Sequence, residues 1–279
     1  MGDGVEVPPR KHIEQHLAIL AEHLNVDVGM GTGHPSNKQV DGVTTGDPPW
    51  NRYLSEPLVN LVDRQRLPCI THSAIFVHRR TYHDAMDSST WDQRYEGSEL
   101  VWSGDPNIFL PPLVEGVAPG TALDAACGEG RNAIWLARQG WDVTAFDFSA
   151  VAIDKATEYA GKTNVKWVVA DATSFEPTKK FDLVVIFYLH LPTVPFTQAF
   201  THAVDALAPG GTLFAVGHAL ANIEQGVGGP PSPEIQWTVD GISPLLTGLD
   251  VIELEERERF VESADATAID LVVWATKPG

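Results

Sequence analysis

The sequence predicts an α/β fold in which a mostly parallel sheet of seven strands carries helices on both faces. Three observations support this prediction. From about residue 120 onward, short apolar segments alternate with amphipathic ones. The apolar segments are nearly continuous, as in strands that are buried on both faces. The last two strand-like segments are joined by a short polar loop, which predicts an antiparallel hairpin.

Apolar runs and the turn residues between them define the individual elements. Strands are predicted at 120–126, 141–147, 165–170, 181–187 and 211–217, and helices at about 130–140, 149–161 and 194–208. The closing hairpin consists of VIELEERERF and TAIDLVVWATK. These two segments bring the expected number of strands to seven, with the last strand antiparallel.

Residues 1–85 differ in texture from the rest of the chain. They hold one amphipathic segment, HIEQHLAILAEHL, followed by loop-like sequence rich in glycine and proline. His12 and His16 are four residues apart, a spacing that can hold a metal, but no third ligand follows at a suitable offset. We therefore expect no metal site. We expect an N-terminal extension over 1–85, partly disordered, and a folded domain over 86–279, with Met86 as an alternative natural start.

Charge and cysteine content exclude several classes of function. The net charge is −18, and the residues after position 85 include 11 basic and 27 acidic side chains. Because such an acidic surface repels phosphate backbones and anionic lipid, we expect neither nucleic acid nor membrane as a partner. The only cysteines are Cys69 and Cys127. Two cysteines argue against a disulfide scaffold and favour a cytoplasmic protein.

A glycine turn joins the first predicted strand to its helix. The segment GEGRNA, with Gly128, Gly130 and Ala133, fits the dinucleotide fingerprint, in which alanine can replace the third glycine. Taken alone the pattern is weak, because a tight strand-to-helix turn without any ligand can have the same sequence. The turn is therefore a candidate nucleotide site whose ligand other residues must identify.

Three acids follow the ends of successive predicted strands. Ligands of open parallel sheets bind at the carboxyl ends of the strands, so Asp124, Asp147 and Asp171 should meet at one crevice. Asp147, beyond the turn, is placed to accept from ribose hydroxyls, and Asp171 from an adenine amino group, with the backbone at Ala172 reading the ring edge. Asp124 suits an ammonium group better than a pyrophosphate. A cationic nucleoside therefore fits better than a dinucleotide.

These residues resemble those of the class I S-adenosylmethionine-dependent methyltransferases. The motifs are LDAACGEG, VTAFDFS, VVADATSF and LAPGGTLFAVGH, and the terminal hairpin matches the antiparallel seventh strand of that Rossmann-like fold. The resemblance spans roughly residues 88–279. It implies S-adenosylmethionine as cofactor and S-adenosylhomocysteine as product. One departure is Ala126, which stands where the family usually has its first glycine.

The resemblance also implies the cofactor-binding residues. They are Asp124, Ala126, Cys127, Gly128, Gly130, Asn132, Asp147, Phe148, Asp171, Ala172 and Phe187. Cys127 lies in the family's structural motif, so we expect it not to act as a nucleophile.

A narrower resemblance concerns the segment before the first strand. GRNAIWLARQGWDV and WDQRYEGSELVWSGDPNIFL are similar to the tellurite-resistance and thiopurine methyltransferase branch. In that branch a tryptophan-bearing segment folds over the cofactor, and Trp91, Tyr95, Trp102 and Phe109 match it here. We expect Trp91 and Trp102 to contact the sulfonium, worth roughly 0.5–2 kcal/mol. Alternatively, they are core aromatics of a capping helix.

The acceptor side is predicted after the fourth strand, in VVIFYLHLP. Ile186 and Phe187 should line the methionine part through their backbone, whereas Tyr188 and His190 should face the acceptor. His190 is the candidate base or orienting group, since histidine titrates near neutral pH. Alternatively, His190 only caps the loop before Pro192. His218, with the glycine-rich segment QGVGGPPSP, is a further candidate for a loop over the acceptor.

The predicted function is methylation of a small-molecule acceptor, with a thiol or other soft chalcogen nucleophile favoured over nitrogen or oxygen. Such groups ionise near neutral pH, so no catalytic dyad is required. The alternatives are an N- or O-methyltransferase, an NAD-dependent oxidoreductase, and a non-catalytic sensor that binds S-adenosylmethionine. The sensor alternative rests on the faint resemblance of EQHLAILAEHLNVDVG to a GAF domain. We expect a monomer or weak homodimer.

Overall fold

The computed structural model describes residues 87–97 and 99–279. The amphipathic segment, His12, His16 and the GAF-like sequence lie outside the described residues. Within the described part of the chain, no helix has the length and apolar character needed to span a membrane.

The strands form one seven-stranded sheet, as predicted. They are β1 Thr121–Ala125, β2 Asp142–Asp147, β3 Val165–Val169, β4 Phe181–Phe187, β5 Leu207–His218, β6 Asp250–Val261 and β7 Ala266–Thr276. Their order across the sheet is β3-β2-β1-β4-β5-β7-β6. The pairs among the first five strands are parallel, and β7 is antiparallel to both of its neighbours. The mostly parallel sheet and the antiparallel last strand are therefore confirmed.

Helices occupy the connections between the strands. They are α1 Ser88–Tyr95, α2 Leu110–Val114, α3 Arg131–Arg138, α4 Ala150–Ala160, α5 Thr193–Asp205, α6 Asn222–Gln225 and α7 Val239–Ile242. The predicted helices α3, α4 and α5 are confirmed within three residues at each end. Two helices begin with a side-chain cap. Asp87 accepts from the Thr90 N–H at the start of α1, and Ser149 accepts from the Ala152 N–H at the start of α4.

Both faces of the central strands are buried, which explains their continuous apolar sequences. Alternate residues of β1 point to opposite sides, so that Leu123 lies in one apolar cluster with Phe200 of α5. Ala122 lies in the other cluster with Leu136 of α3. Two hydrophobic cores therefore enclose the sheet, one on each face.

The ends of β1 and β4 define where a ligand would bind. β1 pairs with β2 on one side and with β4 on the other, so the chain leaves the middle of the sheet in opposite directions. A crevice opens at such a switch point, at the carboxyl ends of the strands. The turn after β1 and the loop after β4 both lie at this edge, as the sequence predicted.

One strand boundary differs from the prediction. β5 begins at Leu207 rather than at 211, because the expected turn LAPGG is incorporated into the strand as an irregularity in its pairing with β4. Gly210 has φ +76°, which accommodates the irregularity, and its N–H donates to the Lys277 carbonyl oxygen.

Candidate active site

The turn between β1 and α3 has an unusual backbone. Ala126, Gly128 and Gly130 have φ values of 56°, 54° and 78°, all in the left-handed region. Gly130 immediately precedes α3, and a Cβ atom at this position would overlap the ring of Trp167 from β3. The close approach of β3 to the turn therefore requires glycine at residue 130.

Ala126 occupies a conformation that normally selects glycine. A left-handed backbone costs alanine roughly 1–2 kcal/mol, whereas glycine loses roughly 0.5–1 kcal/mol of conformational freedom. We therefore expect Ala126→Gly to raise the free energy of unfolding by about 0.5–1 kcal/mol, measured by urea denaturation. The neighbouring Ala125, buried in β1, is the matched control, and Ala125→Gly should destabilise the protein. A destabilised Ala126→Gly protein would contradict the assignment of strain to this residue.

Asp147 and Asp171 lie at adjacent strand ends. Asp147 is buried and accepts from the backbone N–H groups of Gly128 at 2.8 Å and Ser149 at 3.0 Å. Burial raises its pKa, and these hydrogen bonds oppose the shift. Asp171 is exposed and accepts from the backbone and hydroxyl of Thr173, both through Oδ1. The two acids therefore lie along the edge where the sequence placed them.

Asp124 is the least satisfied carboxylate at this edge. It is 1% exposed, and it alone among the described carboxylates has both oxygens buried without a hydrogen-bond partner. Burial raises its pKa to about 7, and the Arg131 charge and the nearby Ala133 N–H, which lies outside hydrogen-bonding geometry, only partly oppose this. An unpartnered buried carboxylate is costly, and a cationic ligand group would remove that cost.

Arg131 supplies a cation close to the same position. It is the first residue of α3, half-buried, and its side chain donates weakly to the Ser103 hydroxyl at 3.4 Å. Burial lowers its pKa, whereas the charge of Asp124 raises it. Asp124 and Arg131 together present opposite charges at the turn, as a ligand with an amino group and a carboxylate requires.

Residues 91–97 and 99–105, here called the strap, cover the glycine turn. A Cβ atom at Gly128 would lie 3.0 Å from the Tyr95 hydroxyl and 3.9 Å from the Trp102 indole nitrogen. The Arg94 guanidinium lies 4.9 Å from the ring centre of Trp91 and 5.1 Å from that of Trp102. Tyr95 and Trp102 thus lie against the turn, and the faces of Trp91 and Trp102 contact a cation of this chain. Phe109 instead lies in an apolar core.

A buried ion pair holds the strap in place. Lys155 Nζ lies 2.6 Å from Glu129 Oε1, and its remaining bonds go to the carbonyl oxygens of Tyr95, Gly97 and Glu99. Glu129 Oε2 accepts from the N–H groups of Val101 and Trp102. The two side chains therefore join the turn, α4 and the strap. Sequence reasoning missed both residues, because their partners lie some 26–60 positions away along the chain.

A cluster of polar side chains surrounds Asp270 of β7, next to the loop after β4 where the acceptor is predicted. Asp270 is completely buried and accepts from the Tyr188 hydroxyl at 2.9 Å and from Arg259 Nε at 2.6 Å. Its other oxygen lies 3.0 Å from His218 Nδ1. Burial would raise the pKa of Asp270, but the bonds from His218 and Arg259 outweigh burial and hold it below its ordinary value. We call these four residues the Asp270 cluster.

The predicted residues Tyr188 and His190 lie at this cluster. Their rings stack 6.5 Å apart, and Tyr188 adopts the strained φ of 57°. His190 Nδ1 lies 3.0 Å from the Ile235 carbonyl oxygen, and its Nε2 accepts from the His218 backbone N–H at 3.4 Å. Burial and the neighbouring His218 lower the pKa of His190 to about 4. The role of His190 as a base stays a prediction.

Asn107 connects the first turn of α3 to the Asp270 cluster. Its backbone N–H donates to Asn132 Oδ1 at 2.8 Å, and its side chain donates to the Tyr188 hydroxyl at 3.2 Å. Asn132 lies in the first turn of α3, directly after the glycine turn. One hydrogen-bond chain therefore links the start of α3 to the Asp270 cluster.

The remaining predicted residues surround this chain. Phe187 is buried and meets Phe214 edge to face, Phe148 is half-buried beside Asp147, and Ala172 packs against the apolar core. Burial and the nearby acids raise the pKa of Cys127, which keeps it a thiol. This agrees with a structural role. No described residues form a group suited to hold a metal.

Sequence reasoning named Tyr188 and His218 but missed Asp270 and Arg259, although one signal was present. Asp270 interrupts the apolar strand TAIDLVVWAT, where an acid is buried only if it has partners. Those partners could not be read from the sequence, since they depend on the register of β5, β6 and β7. In that register His218 lies directly opposite Asp270.

Known proteins share this fold and these segments. A family model described as a methyltransferase domain matches residues 122–211. The chain is 33% identical over 180 residues to a 2-heptyl-1-hydroxyquinolin-4(1H)-one methyltransferase of Mycobacteroides abscessus, covering 58% of this chain and 79% of that protein. It is 27% identical over 165 residues to probable thiol methyltransferase 2 of Arabidopsis thaliana, covering 55% and 72% respectively.

A solved structure extends the comparison to the fold. The N-methyltransferase NodS from Bradyrhizobium japonicum, in complex with S-adenosyl-L-homocysteine, superimposes with a TM-score of 0.55 at 18% identity, over 69% of this chain and 98% of that chain. The match of the family model begins at residue 122. It therefore gives no support to the GAF-like resemblance of the N-terminal residues.

Proposed function

The chain belongs to the class I S-adenosylmethionine-dependent methyltransferases, and on that premise we propose that it methylates a small-molecule acceptor at a sulfur or oxygen nucleophile. The cofactor is S-adenosylmethionine. When bound, it supplies a methyl group already activated by its positively charged sulfur. The protein therefore has to align the acceptor, exclude water and manage the acceptor's proton.

The buried, unpartnered Asp124 carries the proposal. A carboxylate without partners at the carboxyl end of β1 fits the ammonium group of the cofactor's methionine part, and Arg131 fits its carboxylate. Asp147 and Asp171 would hold the ribose and adenine. The strap, fixed by Glu129 and Lys155, would cover the bound cofactor and exclude water from the reacting groups.

A thiol or another soft chalcogen is the first candidate acceptor. The aromatic residues Trp91, Tyr95 and Trp102 of the strap support the resemblance to the tellurite-resistance and thiopurine branch, because they lie together over the turn. The relative from Arabidopsis thaliana is a probable thiol methyltransferase. For such an acceptor the alignment of nucleophile and methyl group accounts for most of the catalysis.

An oxygen nucleophile is the second candidate, which a specific observation favours. His218 and Asp270 form a paired histidine and carboxylate on the acceptor side, which a thiolate acceptor would not need. The relative from Mycobacteroides abscessus is named for a 1-hydroxyquinolinone. A hydroxyl attached to an aromatic heterocycle is therefore the alternative acceptor.

Calorimetric titration of the purified protein tests the cofactor assignment. We expect S-adenosylmethionine and S-adenosylhomocysteine to bind with micromolar affinity and NADH not to bind. Asp147→Ala should weaken the binding of both adenosyl compounds by about 100-fold, since it removes charge-assisted hydrogen bonds worth about 1.5–3 kcal/mol each. Asp171→Ala, at an exposed acid, should have a smaller effect. Binding of NADH in preference to the adenosyl compounds would refute the proposal.

The domain boundaries are also part of the proposal. Among the described residues the sheet lies within 121–276, which supports a methyltransferase domain over 86–279 and leaves 1–85 as the proposed extension. The acidic surface supports the absence of nucleic-acid partners. A cytoplasmic location and a monomer or weak homodimer stay predictions.

A further inference from the structure

His218 and Asp270 are opposite each other on neighbouring antiparallel strands. Their Cα positions pair in the β5 and β7 ladder, where His218 is the last residue of its strand. The 3.0 Å contact joins His218 Nδ1 to Asp270 Oδ1. Because Asp270 also accepts from Arg259 and Tyr188, its position is fixed from three sides. Rigid strands, rather than a loop, therefore orient the imidazole.

The pairing leaves one ring nitrogen of His218 available. The 3.0 Å pairing with Asp270 favours a proton on Nδ1 and a lone pair on Nε2, and no described residue forms a hydrogen bond with Nε2. Tyr188 lies beside the ring, with the two ring centres 4.8 Å apart. The His218 ring therefore lies beside Tyr188, a side chain that the sequence predicted to face the acceptor.

The two other candidate bases beside His218, which are His190 and Tyr188, already form hydrogen bonds with other groups. Both nitrogens of His190 have backbone partners, and the pKa of His190 is lowered to about 4, which makes it a weak base. The Tyr188 hydroxyl donates its proton to Asp270, and burial raises its pKa above its ordinary value. His218 is therefore the ring with an unengaged acceptor nitrogen.

We propose that His218, paired with Asp270, is the general base that removes the proton of a hydroxyl acceptor, which favours the second candidate acceptor, an oxygen nucleophile, over a thiol. This inference rests on the proposed function. The acceptor's O–H bond breaks and its proton goes to Nε2. The oxygen electron pair forms the new bond to the methyl carbon, and the electrons of the broken carbon–sulfur bond remain on sulfur. The imidazolium is then stabilised by Asp270.

A glycine loop shields the imidazole from water. Gly229 lies against the His218 ring, where a Cβ atom would overlap it, so the backbone of the loop covers the base. Asn222 holds the loop, since its side-chain N–H donates to the Gly228 carbonyl at 2.9 Å and its carbonyl oxygen accepts from the Ile269 N–H at 2.7 Å. As a result His218 is 9% exposed.

The test compares acceptors that differ in acidity. Wild type and His218→Gln are assayed at saturating S-adenosylmethionine with phenol, 1-hydroxyquinolin-4(1H)-one and thiophenol, and the methylated products are measured by mass spectrometry. We expect the variant to lose about 100–10,000-fold in kcat for the hydroxyl acceptors and less than about 3-fold for thiophenol, which ionises without a base. KM values should change little.

The matched control is His202→Gln, on α5, which should change neither rate. Equal losses of kcat for hydroxyl and thiol acceptors would show that His218 is only structural and would overturn the inference. So would wild-type turnover of thiophenol without turnover of either hydroxyl acceptor, which would leave the proposed function standing. Failure of wild type to bind S-adenosylmethionine in calorimetry would instead refute the proposed function itself.

Discussion

Asp124→Asn is expected to stabilise the cofactor-free protein while it weakens cofactor binding. Both oxygens of Asp124 are buried without partners, and burial raises its pKa to about 7 from the ordinary 3.8. Since 1 pKa unit corresponds to about 1.4 kcal/mol, ionised Asp124 costs up to about 4 kcal/mol of folding free energy. An uncharged amide of the same shape removes this cost.

The effect should depend on pH with a defined sign. The folded state binds the Asp124 proton more tightly than the unfolded state, so this residue lowers stability as pH rises from about 4 to about 7. Wild type and Asp124→Asn should therefore differ little at pH 3.5, if both remain folded, and most at pH 8. Urea denaturation at several pH values, without cofactor, measures this difference.

The same substitution should lower the affinity for S-adenosylmethionine by about 100-fold, because it removes a buried charge from the ammonium group it is proposed to hold. Asp147→Asn is the matched control. It removes a carboxylate that accepts two backbone N–H bonds, so it should weaken binding and also destabilise the cofactor-free protein. An Asp124→Asn protein with unchanged affinity would exclude Asp124 from the cofactor site.

Gly130→Ala is expected to have the second large effect, a loss of about 3 kcal/mol of stability together with loss of cofactor binding. The left-handed backbone at φ 78° costs an alanine roughly 1–2 kcal/mol. The added methyl group would also overlap the rigid ring of Trp167, and its next neighbour would be the methyl group of Ala156 at 3.1 Å. Overpacking of this kind costs roughly 1–3 kcal/mol.

Two comparisons separate the backbone strain from the collision. Gly116 has a similar φ of 72° but no atom within 4 Å of a Cβ, so Gly116→Ala should cost only about 1–2 kcal/mol. The double variant Gly130→Ala with Trp167→Leu should be less destabilised than the sum of the single variants, since the smaller side chain makes room. Urea denaturation measures the three single variants and the double variant beside wild type. Equal losses for Gly130→Ala and Gly116→Ala would show that β3 tolerates a side chain at the turn.

The strands and the principal helices could be predicted because the apolar pattern within each segment is sufficient to identify it. β4 reads FDLVVIF, and such a run is stable only when both of its faces are covered. The start of β5 was the exception. Leu207 joins the sheet through an irregularity that depends on β4 and on the Lys277 backbone, neither of which is near it in sequence.

The cofactor side of the site was more predictable than the acceptor side. Asp124, Gly130 and Asp147 act through the strand ends and the turn in which they lie, so local sequence was sufficient. Arg259 and Asp270 come together only because β6 and β7 pair in one particular register. A shift of that register by one residue would move Asp270 to the opposite face of the sheet. No local pattern fixes such a contact.

The position of β7 sets the order in which the protein can mature on the ribosome. β7 is the last strand of the sequence, yet it is inserted between β5 and β6. Until residues 266–276 have emerged, β5 has an open edge and β6 has no partner. An open edge attracts other chains, so the nascent protein needs protection over this interval. Since Asp270 arrives with the same strand, His218 is oriented only when synthesis of the sheet is complete.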